Sequence, residues 1–296
     1  MPRSFEDFAV FSAPAVFVVL WASGFVGAKF GLPYAEPMTF LSLRMIAVVA
    51  LLVVVILLTR PKWPDRTGLF HSVITGTLVH GLYLGGVFAA IENGISAGLI
   101  ALIVSLQPVL TSTIANRWLG ERVLSRQWLG LLLGVAGVYL IVQENVEAGA
   151  IRPIAWVFAA TALAGITIGT LYQKHFGGGI DWRPALCVQY ATAGTLFIIT
   201  AFIFENRVVH WTPQFMFALA WLVLLLSFGA VWLLYFMIRH SAATRVVSFL
   251  YLTPPVTALM AWLWFGERLA LLGLLGMAIC VAGVFLVNWR PSGAAG

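Results

Sequence analysis

The sequence predicts an all-α membrane protein of ten transmembrane helices, arranged as two inverted five-helix repeats with both termini in the cytoplasm. Three observations lead to this fold class. First, 61% of the 296 residues are hydrophobic and only 9% are charged, whereas soluble chains carry roughly 25% charged residues. Second, residues 97–143 recur without a gap at residues 243–289, with 16 identities. Third, Lys and Arg are distributed unevenly between the two sides of the membrane.

Ten apolar runs follow one another along the chain, and each is long enough to cross a hydrocarbon core of about 30 Å as a helix. Their predicted bounds are 13–30, 39–58, 68–90, 96–116, 128–142, 154–175, 184–204, 214–238, 242–265 and 269–287. The connections are short and contain turn formers, as at residues 31–33 and 177–179. No soluble domain fits between two spans.

The basic residues orient the chain. With the N-terminus inside, the cytoplasmic segments hold 12 Lys and Arg residues, whereas the outer segments hold four. Cytoplasmic loops carry such an excess in membrane proteins, so both termini are predicted in the cytoplasm. Because the basic residues act as topology signals, the net charge of +6 does not indicate a nucleic-acid partner.

The repeated segment carries two pairs of motifs. Leu-Gln-Pro-Val at 106–109 corresponds to Leu-Thr-Pro-Pro-Val at 252–256, and Gly-Glu-Arg occurs at 120–122 and again at 266–268. We place the two repeats at residues 1–148 and 149–296. Five spans per repeat is an odd number, so the second repeat crosses the membrane in the opposite sense. Inverted repeats are the architecture of many secondary transporters.

These motifs resemble the drug/metabolite transporter superfamily, and within it the EamA-type ten-helix exporters. Residues 21–25 (Trp-Ala-Ser-Gly-Phe) and Leu43-Arg44 also resemble that pattern, and the resemblance covers essentially the whole chain. It implies a carrier in the bacterial inner membrane that works by alternating access through a central cavity. The chain resembles the amino-acid exporters of the group most closely, which implies amino acids or related metabolites as substrates.

All eleven acidic residues fall at helix ends or in loops of the predicted map. An intramembrane carboxylate is the usual proton relay or counter-ion of a cation, because only a functional need tolerates its desolvation. The small multidrug-resistance relatives of the superfamily use a Glu in their first helix, and this chain has none there. We therefore expect passive or weakly coupled transport of a net-neutral substrate.

Aromatic and polar residues inside the spans are the candidates for a substrate cavity. His80 and Tyr83 share one face of the third span; His80 could protonate, bind a substrate carboxylate, or be a neutral histidine satisfied by a neighbouring helix. Trp232 and Tyr235 repeat this spacing in the eighth span, and Trp21 adds a ring from the first span. Either tryptophan could instead belong to the interfacial aromatic belt.

The fourth and ninth spans supply further candidates. Ser105 and Gln107 are predicted to reach the cavity, and Tyr251 takes the place of Ser105 in the second repeat. Proline removes a backbone donor and frees a carbonyl of the preceding turn. Such a break is tolerated where it is buried in protein or lines a wet cavity. The sequence therefore predicts hinges at three prolines of these spans: Pro108, Pro254 and Pro255.

Arg44 is placed near the outer end of the second span. It could snorkel to the interface or attract a substrate carboxylate. Aligning Lys29 with Lys174 places Gln189 opposite Arg44. Arg44 therefore has no basic counterpart in the second repeat, and its role is confined to one half of the protein.

The residues do not predict an enzyme. No nucleotide-binding loop, metal cluster or nucleophile–base pair stands out, so we expect no catalytic residue, no metal and no cofactor. The expected partners are a small-molecule substrate and the lipid bilayer, and a monomer is compatible with the sequence. A channel would show a polar stripe or a charge ring along its spans. The predicted spans show neither, so we expect a carrier. The alternative to amino-acid export is a multidrug or quaternary-cation efflux carrier, in which ring faces hold the cation.

Overall fold

The computed structural model describes residues 5–95, 100, 103–104, 106–118, 123–142, 151–240, 246, 248–265 and 271–289. This part of the chain is almost entirely helical and contains no strand beyond an isolated bridge between Ala35 and Val209. Its helices are α1 (Phe5–Gly31), α2 (Pro37–Thr59), α3 (Arg66–Glu92), α4 (Gln107–Trp118), α5 (Ser125–Val142), α6 (Pro153–Phe176), α7 (Trp182–Phe204), α8 (213–240), α9 (Thr253–Phe265) and α10 (Leu271–Asn288). The predicted all-α class is confirmed.

Five of these helices are long and apolar enough to cross a membrane: α2, α3, α6, α7 and α8. Shorter apolar stretches lie at Ser12–Gly24, Phe249–Trp264 and Leu271–Val287. The observed bounds lie within a few residues of the predicted ones except at three helix starts: α1 begins at Phe5 rather than at residue 13, α4 at Gln107 rather than at 96, and α9 at Thr253 rather than at 242. Acidic side chains favour the first turn of a helix, so the charges at residues 6 and 7 end the apolar run without ending the helix. Much of the predicted fourth span before Gln107 lies outside the described residues.

The sequence repeat is visible in how the helices pack. α5 packs along α10 and α2 packs along α7, so each of these four helices contacts its counterpart in the other repeat. α1 packs against α8 and α9, whereas α6 packs against α3 and α4. If each helix is replaced by the helix five places away in the chain, the contacts of α1 with α8 and α9 become the contacts of α6 with α3 and α4. The helices are therefore related by a pseudo-two-fold axis, as inverted repeats require.

Glycines bring α5 and α10 into close contact. A Cβ atom at Gly130 would lie 2.6 Å from the carbonyl oxygen of Gly283, and one at Gly137 would lie 2.6 Å from that of Gly276. The offset of 146 residues converts one of these contacts into the other. Small residues allow two backbones to approach this closely. The pair of α5 and α10 therefore obeys the two-fold symmetry at the level of single residues.

Both repeats contain a π-helical segment at the same place. The segments span Gly76–Leu82 in α3 and Leu222–Ala230 in α8, and their first residues lie 146 positions apart. In the first segment the backbone N–H of Tyr83 bonds the carbonyl of Leu78, five residues back. π-helical turns are rare and occur frequently at functional sites. They mark the middle of α3 and of α8 as places to look for a site.

The three prolines predicted as hinges stand in the first turns of α-helices. Pro108 is the second residue of α4, and Pro254 and Pro255 follow Thr253 at the start of α9. A 3-10 turn at Phe249–Leu252 precedes α9. A proline in the first turn removes an N–H that would lack a helical partner anyway. In the second repeat the helical path is continuous from Phe249 to Phe265 and changes from a 3-10 turn to an α-helix at the proline motif, whereas residue 105, before the motif of the first repeat, lies outside the described residues. A hinge there remains a prediction.

The outer ends of α2 and α7 are joined by one carboxylate. Glu205, directly after α7, accepts hydrogen bonds from the backbone N–H groups of Met38 (2.6 Å) and Thr39 (2.7 Å) and from the Thr39 hydroxyl (2.7 Å). The backbone N–H of His210 donates to the Tyr34 carbonyl at 2.9 Å in the adjoining loops. The first N–H groups of a helix lack partners within the helix. Glu205 therefore caps α2 from the other repeat.

Candidate functional site

The site is built around Arg44 on α2. Only 3% of this residue is exposed, and its Nε atom donates to the Ser227 hydroxyl on α8 at 3.0 Å. Arg44 lies seven residues after Pro37, which is about 10 Å along the helix. Its side chain points toward α8 and not toward the interface. The interpretation that Arg44 snorkels is therefore wrong, because the side chain is enclosed by helices of both repeats.

The π-helical segment of α8 places Ser227 for this contact. The Ser227 hydroxyl donates to the Leu222 carbonyl, five residues back, at 3.0 Å. The Tyr190 hydroxyl, on α7, donates to the Ser227 carbonyl at 2.9 Å. Opening of the helical ladder leaves such carbonyls accessible to side chains. One hydrogen-bonded chain thus connects α2 of the first repeat with α7 and α8 of the second.

His80 approaches the same place from the π-helical segment of α3. Its ring stacks on that of Tyr190, with 4.3 Å between centroids, and Gln189 lies within hydrogen-bonding reach of it. The Nε2 atom of the ring is buried and has no hydrogen-bond partner among the residues described. Gly76 makes the approach possible, because a Cβ atom there would lie 2.5 Å from the Gln189 carbonyl oxygen. One nitrogen of His80 is therefore available to a ligand.

Aromatic rings complete the site. The rings of Trp21 and Tyr83 stack with 6.4 Å between centroids and 11° between planes. Tyr83, Tyr190 and His80 all lie close enough to Arg44 for electrostatic interaction. The structure thus brings together four residues predicted from the sequence, and it adds three that were not predicted as site residues. We call this group the Arg44 cluster: Trp21, Arg44, His80, Tyr83, Gln189, Tyr190 and Ser227.

Gln107 belongs to a second polar group between α4 and α6. Its Nε2 atom donates to the Thr170 hydroxyl at 3.3 Å. Its Oε1 atom and the hydroxyls of Thr111 and Thr167 are buried and have no hydrogen-bond partner in the described part of the chain. Buried polar groups are normally paired, so these atoms could accept or donate to a polar solute. Ser105, predicted beside Gln107, lies outside the described residues.

Two other predicted cavity residues, Tyr251 and Trp232, are not brought to the Arg44 cluster. Tyr251 is fully buried in the layer of α5 and α10, where a Cβ atom at Gly134 would lie 2.5 Å from its ring. Trp232 is 39% exposed, and its ring contacts those of Trp182 and Phe236. The backbone at position 235 continues α8, but the side chain of that tyrosine lies outside the description.

The cluster carries a positive charge that no carboxylate of the described residues neutralises. The acidic residues whose side chains the structure describes all lie at helix ends: Glu36, Asp65, Glu92, Asp181 and Glu205. The ion pair between Arg183 and Asp181 lies at the start of α7, away from Arg44. The rest of the sequence places no Asp or Glu in the interior of an apolar run. For the described helices, the expectation that they contain no internal carboxylate is confirmed.

Apolar helices paired about a two-fold axis, with a buried polar cluster between the repeats, define a membrane transporter of the inverted-repeat class. The chain matches the EamA-like transporter family twice, over residues 9–143 and 152–289. It therefore belongs to the EamA-like transporter family, within the drug/metabolite transporter superfamily that the motifs resemble.

Several relatives share nearly the full length. The chain is 28% identical to the uncharacterized transporter YvbV of Bacillus subtilis, over 93% of this chain and 90% of that protein. It is 31% identical to a probable terminal-alkyne amino-acid exporter of Streptantibioticus cattleyicolor, over 93% and 92%. It is 23% identical to the uncharacterized inner membrane transporter YedA of Escherichia coli, over 94% and 90%. A solved crystal structure with 16% identity has a TM-score of 0.77 and covers 95% of this chain and 96% of that one, so the two share a fold. The protein is a multi-pass transporter of the bacterial inner membrane.

Proposed function

We propose that the protein exports amino acids, aromatic and neutral ones included, and related metabolites by alternating access, with passive or weakly coupled flux. The supporting observation is the buried guanidinium of Arg44, which has no carboxylate partner in the described structure. A buried charge without a partner is strongly destabilising, and it is tolerated in a membrane protein where function needs it. A substrate carboxylate would supply the missing negative charge.

The groups around Arg44 support such a substrate, because each part of it has a chemical complement there. Because Ser227 takes the Nε donor of Arg44, the two Nη groups remain for the carboxylate, and guanidinium–carboxylate pairs are among the strongest in proteins. The Nε2 atom of His80 supplies a second polar contact. The stacked rings of Trp21 and Tyr83 form an apolar surface that suits an aromatic or aliphatic side chain.

Alternating access follows from the connection between the repeats. We propose that residues 1–148 and 149–296 are the two moving units, with hinges at the proline motifs that begin α4 and α9. The Arg44–Ser227 hydrogen bond joins one unit to the other. A carboxylate bound at the Nη groups attracts the guanidinium and changes the geometry of this bond, so substrate binding and the movement of the repeats become coupled. Enzymatic activity has no place in this proposal.

Efflux of quaternary cations is the alternative. The ring faces of Trp21 and Tyr83 could hold a cation, but Arg44 lies within electrostatic range of Tyr83 and repels a like charge. The name of the Streptantibioticus cattleyicolor relative, a probable exporter of an amino acid, also favours a carboxylate-bearing substrate. We therefore place amino acids and related metabolites first.

Counterflow in proteoliposomes preloaded with phenylalanine tests this proposal. We expect labelled phenylalanine to accumulate equally with and without a pH gradient. Arg44→Gln should reduce accumulation by about tenfold or more, because loss of a charged partner in a buried pair is worth at least that factor. Arg183→Gln, which removes an arginine already paired with Asp181, is the matched control and should transport normally. Uptake of tetraphenylphosphonium without any uptake of carboxylates would instead support cation efflux.

A further inference from the structure

The charge of the Arg44 cluster bears on which carboxylates it favours. An amino acid carries an ammonium group on the carbon next to its carboxylate, so both groups approach the guanidinium together. With the carboxylate at about 4 Å and the ammonium at about 6 Å, the repulsion cancels about two-thirds of the attraction, because both vary as the inverse of distance. A monoanion of the same shape keeps the full attraction.

The hydrogen-bond partners in the cluster also favour a monoanion over an amino acid that carries an ammonium group. Two carbonyls of the π-helical segment of α8 already accept hydrogen bonds from side chains: Leu222 accepts from the Ser227 hydroxyl, and Ser227 accepts from the Tyr190 hydroxyl. The Ser227 hydroxyl oxygen in turn accepts from Arg44. An ammonium group has three donors and no acceptor, and the interior of the helices offers it no carboxylate.

The remaining polar groups are neutral. His80, Tyr83 and Gln189 can each donate as well as accept, so they fit an amide, hydroxyl or carbonyl on the substrate. Trp21 and Tyr83 add an apolar surface. The cluster as a whole therefore complements one negative charge, one neutral polar group and one apolar body.

We propose that the preferred substrates are monoanionic carboxylic acids with an apolar body whose amine is acylated or absent, and that the inside-negative membrane potential drives their export. This inference rests on the proposed function, in which Arg44 binds a substrate carboxylate. Each transport cycle moves one negative charge outward and consumes no other ion. A potential of 100 mV then sustains a concentration ratio of about 50-fold. A carrier of this kind needs no carboxylate in its helices to bind a coupling proton.

Three substrates with the same side chain test the inference: N-acetylphenylalanine (an anion), phenylalanine (a zwitterion) and phenylalaninamide (a cation). Efflux from preloaded proteoliposomes is measured while valinomycin and a potassium gradient set the potential, with protein-free liposomes as the leak control. We expect N-acetylphenylalanine to leave about tenfold faster than phenylalanine at equal subsaturating concentration. Its efflux should accelerate when the lumen is negative, whereas phenylalanine efflux should not respond. Because uniport of a charged solute follows the potential in either direction, random insertion of the protein does not affect the test.

The outcomes separate this inference from the proposed function. If phenylalanine moves as fast as N-acetylphenylalanine and neither responds to potential, the inference is overturned and amino-acid export stands. If only phenylalaninamide moves, both are overturned. The comparison uses the unaltered protein, so it does not depend on the folding of a variant. Arg44→Gln should then remove the N-acetylphenylalanine flux, whereas the Arg183→Gln control should keep it.

Discussion

Glu205 offers the sharpest test of how the repeats are held together. Its carboxylate accepts three hydrogen bonds of 2.6–2.7 Å from Met38 and Thr39 at the start of α2. Bonds to a charged group contribute about 1.5–3 kcal/mol each, and a negative charge at a helix N-terminus adds about 0.3–1 kcal/mol. Glu205 is only half-buried, so water can replace part of this in a variant. We estimate a loss of about 3 kcal/mol for Glu205→Ala by these values.

Thermal unfolding of the purified protein in detergent measures this loss. About 3 kcal/mol corresponds to a decrease in Tm of roughly 6–12 °C for a chain of 150–250 residues, and to somewhat less for a longer one. Glu205→Gln keeps one acceptor oxygen but loses the charge, so we expect an intermediate decrease.

Glu92→Ala is the matched control for this measurement. Glu92 ends α3 on the same side of the membrane, caps no helix among the described residues, and lies within electrostatic range of Glu205, Glu36 and Arg152. Because its removal relieves repulsion from two carboxylates and loses attraction to one guanidinium, we expect this variant to unfold within a few degrees of the unaltered protein and not below the Glu205→Ala variant. A Glu205→Ala protein that melts within about 1 °C of the unaltered one, where a lost cap should cost several degrees, would refute the reasoning.

Three further predictions concern two close helix–helix contacts and the imidazole ring of His80. Gly76→Ala should lower Tm and transport, because its Cβ atom would lie 2.5 Å from the backbone of α7, whereas Gly178→Ala meets nothing within 4 Å and should leave both unchanged. Gly283→Leu should prevent α10 from packing on α5, whereas Gly273→Leu, on the same helix with nothing within 4 Å, should fold normally; size-exclusion profiles distinguish the two. His80→Gln should transport within about threefold of the unaltered protein at every pH from 6 to 8, because the ring is not required as a proton carrier. A loss of transport that follows the protonation of a histidine would contradict this last prediction.

The positions of the helices could be predicted from the sequence because membrane spans leave a strong signal. A helix in lipid must present about 20 apolar residues in a row, and the repeat at residues 97–143 and 243–289 carries the two-fold relation directly. The depth of a residue in the membrane can therefore be predicted from its position along a span. Four members of the Arg44 cluster were found in this way, as charged, polar or amphipathic aromatic residues inside a predicted span.

The rotation of each helix could not be predicted. α2 is apolar on every side, so no periodic pattern indicates which face carries Arg44 toward α8. The π-helical segments also left no signal, because residues 76–82 and 222–230 contain ordinary helix formers and glycine. Ser227 and Tyr190 depend on that geometry. Gln189 could have been found, since the alignment of the repeats places it opposite Arg44.

Tyr251 shows the limit of reasoning from the repeat. It was predicted in the cavity because it occupies the position of Ser105 in the other repeat. A serine and a tyrosine at equivalent positions need different space, and the tyrosine ring finds it against Gly134 in the layer of α5 and α10. Symmetry of the backbone therefore does not imply that the side chains serve one function.

Binding of the substrate carboxylate by Arg44 underlies both proposals. Equilibrium binding of ligands to the purified protein is the shortest route to testing it. Tm is measured with N-acetylphenylalanine and with its uncharged methylamide, for the unaltered protein and for Arg44→Gln. Ligand at 100 times its Kd stabilises a protein by about 2.7 kcal/mol. For a domain of about 150–250 residues, this raises Tm by roughly 5–10 °C. We expect this shift only for the acid with the unaltered protein. Equal shifts for the acid with both proteins, or for the methylamide as for the acid, would contradict it.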